Sequence, residues 1–346
     1  MKPPRLSVVV VSFEMARELP RTIRSLSLSM QQDIGHADYE VLVVDNGSRA
    51  KPDEEVLAGL GVSARVLHVE NPNRSPARAV NLGLAEARGK LVGVFVDGAR
   101  LASPGLLAGA LRASKLHHRA VIASMGFHLG RESQSLAVRK GYGVEAEDRL
   151  LRASRWEEDG YRLFEVGVFS DSCRGGFFSP MYESSALFMS KEMWSELRGF
   201  DERFVSRGGG LVNLDAYRRA CELPDVELVV LLGEATFHQY HGGVATNSEE
   251  SSWKEFHAEY RVIRGRRFEP PAATPIFVGR VRRAVLPSIA LSVAAPEAAR
   301  WGALPFAVWA RLLTNPSAWV QYLRRRLPAA LRRGHRNGDE QARPYE

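Results

Sequence analysis

The sequence is short of several things, and each shortage removes a class of protein. Its 346 residues include two cysteines, Cys173 and Cys221, far apart and in no CxxC pattern. That excludes a disulfide scaffold or a cysteine-type structural zinc site and points to a reducing compartment. No apolar run approaches the roughly 18 residues needed to cross a bilayer. The stretch Leu6 to Val11 is too short and too β-branched for a signal peptide, and no cleavage-like segment follows it. The expectation is a cytoplasmic protein, or one attached only peripherally at the inner face of a membrane. No GxGxxG follows the first apolar run, which argues against a dinucleotide-binding enzyme. Gly83 to Lys90 has the wrong spacing for a P-loop, and neither GxSxG nor HExxH occurs.

Lysine is also missing from one end. From Arg261 onward there are 16 arginines, no lysine and 5 acids, a net charge of +11, whereas the whole chain carries +7. The first 260 residues are therefore about four charges negative. A basic tail of this kind suits an acidic partner such as an anionic membrane, or is a solvated arginine-rich helical surface. Nucleic acid is the weaker partner, because the tail's aromatics (Trp301, Phe306, Trp309, Trp319, Tyr322) have helical, core-like spacing and not that of a stacking platform.

What is present is an alternating pattern. With 45% hydrophobic residues the chain can fill a sizeable core. Leu6–Ser12 is a continuous β-branched run, as in a buried parallel strand. Helical spacing follows from about 17 to 30, then strands at 39–44 and 62–69, a helix at about 76–87 and a strand at 91–96. That order predicts a doubly wound α/β sheet with helices on its faces. Beyond it the pattern predicts a helix at 101–116 and strands at 120–125, 184–189 and 227–232. It also predicts helices at 191–197 and 215–221 and from Trp253, with no clear period over 126–174. Prolines at 270, 271 and 275 mark a boundary, giving a domain over 1–265 and an arginine-rich helical extension over 266–346.

In doubly wound sheets ligands collect beyond the carboxyl ends of the strands. The polar residues there are Ser12 and Glu14, Asp45 to Ser48, and Asp97. Asp45 can accept hydrogen bonds from a base or ribose, or can simply cap its own turn. Asp97 is placed for a divalent cation bridging phosphates. His238 and His241, in Phe-His-Gln-Tyr-His-Gly-Gly, have the spacing to share a metal or to meet a diphosphate.

Together these residues resemble glycosyltransferase family 2, inverting enzymes with a GT-A fold. The likeness runs through Leu6–Ser12, YEVLVVDNGS at 39–48, NPNRSPARAVNLGLAEARG at 71–89, LVGVFVD at 91–97 and LRGFDERF within 184–204. It covers about residues 5–245. The resemblance implies a GT-A type doubly wound mixed sheet flanked by helices. It also implies a nucleotide-diphosphate sugar as donor and a glycan or lipid-linked hydroxyl as acceptor. Asp45 would contact the base, with Ser12 and Glu14 lining the pocket and Asn81 on the bordering helix. Asp97 would be the first aspartate of the DxD motif, followed by Gly98, and would hold a divalent cation (Mn²⁺ or Mg²⁺). Arg78, with Arg74, is the metal-free alternative for offsetting diphosphate charge. The chain departs from the family twice. Ala99 stands where the second DxD carboxylate belongs, and the catalytic Glu-Asp pair would fall near Gly210-Leu211. Asp215 is the nearest carboxylate to serve as base, and His238 or His241 could replace the missing metal ligand. A catalytically inactive GT-A-like protein that binds a nucleotide sugar or glycan is the alternative function.

Overall fold

The computed structural model describes residues 3–242 and 252–300. Among the described residues ten strands form one sheet: β1 (Leu6–Ser12), β2 (Tyr39–Asp45), β3 (Ala64–His68), β4 (Leu91–Phe95), β5 (Arg100–Ala102), β6 (Ala120–Leu129), β7 (Gly167–Phe169), β8 (Leu187–Ser190), β9 (Glu227–His238) and β10 (Ile276–Gly279). Their spatial order is β10-β9-β6-β8-β4-β1-β2-β3, with β5 paired to β9 and β7 to β6. The pairs β1–β2, β2–β3, β1–β4, β6–β9 and β9–β10 are parallel, while β8 runs antiparallel to both β4 and β6. The strands β1, β2, β4, β6 and β9 therefore end on one edge, and the chain enters β8 from that same edge.

Both faces of the sheet are covered, which is why its strands read as unbroken apolar runs. On β1, Val9 and Val11 face one core while Val8 and Val10 face the other. The first core is roofed by α3 (Ala77–Glu86), α7 (Lys191–Leu197), α8 (Val212–Cys221) and α9 (Trp253–Arg264). The second lies under α1 (Glu18–Ser25), α2 (Glu54–Ala58) and α4 (Leu106–Ala113). Gly83 lets α3 settle on the sheet, since a Cβ there would lie 2.3 Å from a methyl of Val9.

The remaining helices are α5 (Gln134–Arg139), α6 (Val144–Ser154) and α10 (Leu286–Arg300). Thus α5, α6 and β7 fill the stretch from 126 to 174 whose period is unreadable. The helix predicted over 101–116 is shorter than its pattern: Arg100–Ala102 pairs with β9 as β5, and the helix begins only at Leu106. The strand predicted to end near Leu232 continues to His238. Gly233, at φ +86°, turns the chain, and β9 then rejoins β6 at Ala235. One face of the edge is built by that second half of β9.

The boundary expected at 265 moves. Residues 276–279 add β10 to the edge of the sheet, so the prolines before it bound a strand and do not close the domain. One compact unit runs from Met1 to Val293 and a second from Ala294 to Glu346. The tail aromatics from Trp301 onward lie outside the described residues. Among the described residues, no helix is long and apolar enough to cross a membrane.

Candidate active site

Two clusters stand on the carboxyl edge. The first joins the ends of β1 and β2, where Ser12 pairs with Asp45 and its carbonyl accepts the Asn46 amide at 2.8 Å. Glu14 adopts φ +53°, and its amide donates to Ser48 Oγ at 2.9 Å. Its carboxylate accepts the Arg49 amide at 3.0 Å. Asp45 is 1% exposed; one oxygen accepts the Ser48 amide at 3.1 Å and the other lies 3.3 Å from His68 Nδ1. The turn-capping role of Asp45 is therefore realised. Gly47 has φ +91°, and a Cβ there would strike the Pro72 ring, so this turn requires glycine. Asn46 Nδ2 donates to the carbonyls of Asn73 and Ser75, which ties in the loop before α3. Its buried Oδ1 has no partner among the described residues, leaving an acceptor open beside Asp45.

The second cluster gathers Asp97, His238 and His241, whose ligand atoms all lie within 4.8 Å of one another. Asp97 Oδ1 accepts the Ala99 amide at 3.1 Å, and Oδ2 accepts Arg100 Nε at 2.8 Å. The same Oδ2 is 3.9 Å from His238 Nε2, which is 3.0 Å from His241 Nε2. Gln134 Oε1 holds His238 Nδ1 from the other side. With Nδ1 donating there, Nε2 presents a lone pair to the cluster. Burial, reinforced by Arg100 and by the neighbouring histidines, holds His238 well below the ordinary histidine range. Burial also lowers His241, against the pull of Asp97 and Glu18, and brings the adjacent His128 down to about 4. Neutral imidazoles are the state a metal needs. Two imidazoles with one carboxylate suit a first-row dication such as manganese better than magnesium, so the donor set fits the cation the family implies. Arg100 is the complication, because it already neutralises the Asp97 oxygen that faces the histidines.

A buried charge network braces this cluster. Arg17, just before α1, donates to Glu18, Glu147, Asp148 and the Tyr240 carbonyl. Glu147 on α6 accepts the Tyr240 amide at 2.7 Å and the Tyr142 hydroxyl at 3.3 Å. Burial drives Glu147 up to about 7, although Tyr240 and Arg17 oppose the rise. The network fixes the backbone next to His241.

Several expected site residues are engaged with other parts of the protein. Asn81 spends its whole amide on the segment after α7: Oδ1 accepts the Phe200 amide, and Nδ2 donates to the Phe200 carbonyl and Glu202. It clamps that turn. Gly98 is buried, and a Cβ there would meet the Val11 carbonyl at 3.0 Å, so the residue permits close packing. Arg78, about half exposed, donates to the Asn71 carbonyl and sits 3.4 Å from Glu202. The assignment of Asp215 as base is corrected. It is 1% exposed, with both oxygens held by Arg264 and one also by Arg219, so it is shut within ion pairs and closed to an acceptor. Nothing in the sequence pattern marks Arg100, Gln134, Arg17 or Glu147 as site residues. Only the pairing of β5 with β9, invisible in a helical-looking run, brings Arg100 opposite His238.

The family model for glycosyl transferase family 2 matches residues 7–183, just over half of the chain. The chain belongs to glycosyl transferase family 2. The family consists of nucleotide-sugar-dependent glycosyltransferases, and the curled mixed sheet flanked by helices is its GT-A fold. The 1–349 fragment of S. aureus TarS in complex with UDP-GlcNAc is similar at 16% identity and a TM-score of 0.50, covering 75% of this chain and 65% of that one. The same fragment in a second structure gives 17% identity and 0.48, covering 75% and 64%. The family 2 chain thus spans less than two thirds of that fragment, and the likeness speaks for the fold alone. No curated protein matches the sequence.

Proposed function

We infer that this family 2 chain transfers a sugar, with inversion at the anomeric carbon, from a nucleotide-diphosphate donor to a hydroxyl of a glycan or lipid-linked acceptor, in the synthesis of a surface glycan or glycolipid. The carrying observation is that the turn around Asp45 and the Asp97–His238–His241 cluster stand on the same carboxyl edge, at the ends of parallel strands. In this reading Ser12, Glu14 and Asp45 bound the base and ribose. Asp97, His238 and His241 would hold the divalent cation, which when bound supplies positive charge to the leaving diphosphate. Arg100 stands within the same cluster, and Arg78 and Arg74 are the metal-free alternative for offsetting diphosphate charge.

A second reading, a protein that binds the nucleotide sugar or a glycan without transfer, draws on particular residues. Ala99 occupies the second DxD position, no acid stands at Gly210-Leu211, and Arg100 already pairs with Asp97. Nucleotide release from a panel of UDP-, GDP- and TDP-sugars, with and without manganese, separates the two. S. aureus TarS was solved with UDP-GlcNAc, so that donor is tried first. Transfer predicts manganese-stimulated release from at least one donor; binding without release favours the second reading, and neither binding nor release sinks both. Peripheral attachment through the arginine-rich tail predicts that the full chain sediments with anionic liposomes and a chain ending at Arg300 does not. Equal sedimentation of the two refutes it.

A further inference from the structure

We propose that Glu183 is the general base of transfer, taking over from the acids absent near Gly210-Leu211. The proposal rests on the transfer reading above. Glu183 lies just before β8, which runs antiparallel to β4 with Leu187 opposite Val94. Residues before Leu187 and residues after Val94 therefore emerge at the same end of the sheet, and Glu183 shares that end with Asp97. Its carboxylate is oriented by two neutral donors. Ser172 Oγ donates to Oε1 at 2.8 Å, and Asn213 Nδ2, in the first turn of α8, donates to Oε2 at 2.6 Å. Asn213 stands two residues after Leu211, so Glu183 meets the same helix start that the missing acids would occupy.

Its neighbours are unsuited to the task. Asp97 is paired with Arg100, Asp201 with Arg203 and Arg264, and Asp215 with Arg219 and Arg264. Glu259 fills the space beside Gly210, but its Oε1 is held by the amides of Val205 and Ser206, and its Oε2 is closed off from solvent. Glu183 is half-buried and has no ion pair among the described residues, so no arginine holds its lone pairs. A side-chain amide at 213 suits it, where a second carboxylate at that distance would repel it.

The step balances without an added reagent. Glu183 accepts the proton of the acceptor hydroxyl as that oxygen bonds to the anomeric carbon. The bond from that carbon to the diphosphate oxygen breaks, the nucleoside diphosphate leaves with the electron pair, and Glu183 returns its proton to solvent. Water in place of the acceptor gives the free sugar by the same route.

The test compares wild type, Glu183→Gln and Glu183→Asp. It uses nucleoside diphosphate release from the UDP-, GDP- and TDP-sugar panel, with water and with simple alkyl glycosides as acceptors. Calorimetric binding of UDP, GDP and TDP and thermal melting are measured alongside. Glu183→Gln is expected to lose about 10²–10⁴-fold in kcat, while binding nucleotide within about threefold of wild type and melting like it. Glu183→Asp is expected to recover part of the rate. Release by Glu183→Gln within about threefold of wild type overturns the proposal, as does loss of nucleotide binding in both variants, which marks a structural role. A wild type that turns over no donor overturns the transfer reading itself, and the base with it.

Discussion

Replacing Glu147 with glutamine should change how stability depends on pH, and the structure sets the size of the effect. The Glu147 side chain is fully buried, and burial raises it from 4.5 to about 7. The folded state therefore holds this proton more tightly than the unfolded chain does. The associated stability is fully present below about pH 4.5 and is lost as pH rises through about 7. At 1.36 kcal/mol per pH unit the loss amounts to roughly 3 kcal/mol. Glutamine has no proton to lose, and its carbonyl can still accept the Tyr240 amide. Arg17 keeps Glu18 and Asp148 as partners. His128, lowered from 6.5 to about 4, works in the opposite sense, costing stability as pH falls below about 6.5. His238 and His241 act with it. All three are common to both proteins and cancel in the difference. Urea unfolding of wild type and Glu147→Gln from pH 4.5 to pH 8 should show the variant gaining on wild type by about 3 kcal/mol across that range. Curves that stay parallel to within about 0.5 kcal/mol would refute the reasoning.

Asp215→Asn should destabilise the fold by about 3–5 kcal/mol, because it strips Arg264 and Arg219 of a buried partner, while nucleotide affinity stays at the wild-type value. A tenfold loss of affinity in a folded Asp215→Asn protein would restore that residue to the site. Gly83→Ala should cost about 1–3 kcal/mol in chemical denaturation, since the new methyl has no room against Val9; an unchanged midpoint would contradict the packing of α3. Asn81→Ala should lower thermal stability by loosening the 200–202 turn and leave nucleotide binding intact, as calorimetry would show.

Much of this was legible from residues alone where local pattern and tertiary role coincide. β1, β2 and β4 are buried on both faces, so their runs announce strands, and Asp45 and Asp97 follow as strand-end acids. The pairing of His238 with His241 was likewise visible in their spacing. The errors came where a contact distant in sequence overrides a local period. Leu101 and Ala102 look like the start of a helix but are captured by β9, and 276–279 follow prolines yet complete the sheet. Asn81 and Asp215 carry the right chemistry in the right neighbourhood. Their side chains are consumed by Phe200 and Glu202, and by Arg219 and Arg264, partners 119, 121, 4 and 49 residues away. Only the i,i+4 pair of Asp215 with Arg219 follows a spacing rule; the other three partners do not. Glu147 sits in the stretch without a period, and its importance arises only from burial against Arg17.

The central claim is a nucleotide site on the carboxyl edge of the sheet, formed by Asp45 on one side and Asp97 on the other. Calorimetric titration of UDP, GDP and TDP in the presence of manganese, into wild type, Asp45→Ala and Asp97→Ala, tests it most directly. At least one nucleotide should bind wild type, and each substitution should weaken that binding by tenfold or more without loss of fold. Binding that survives unchanged in both variants, or no binding of any nucleotide to wild type, would contradict the account.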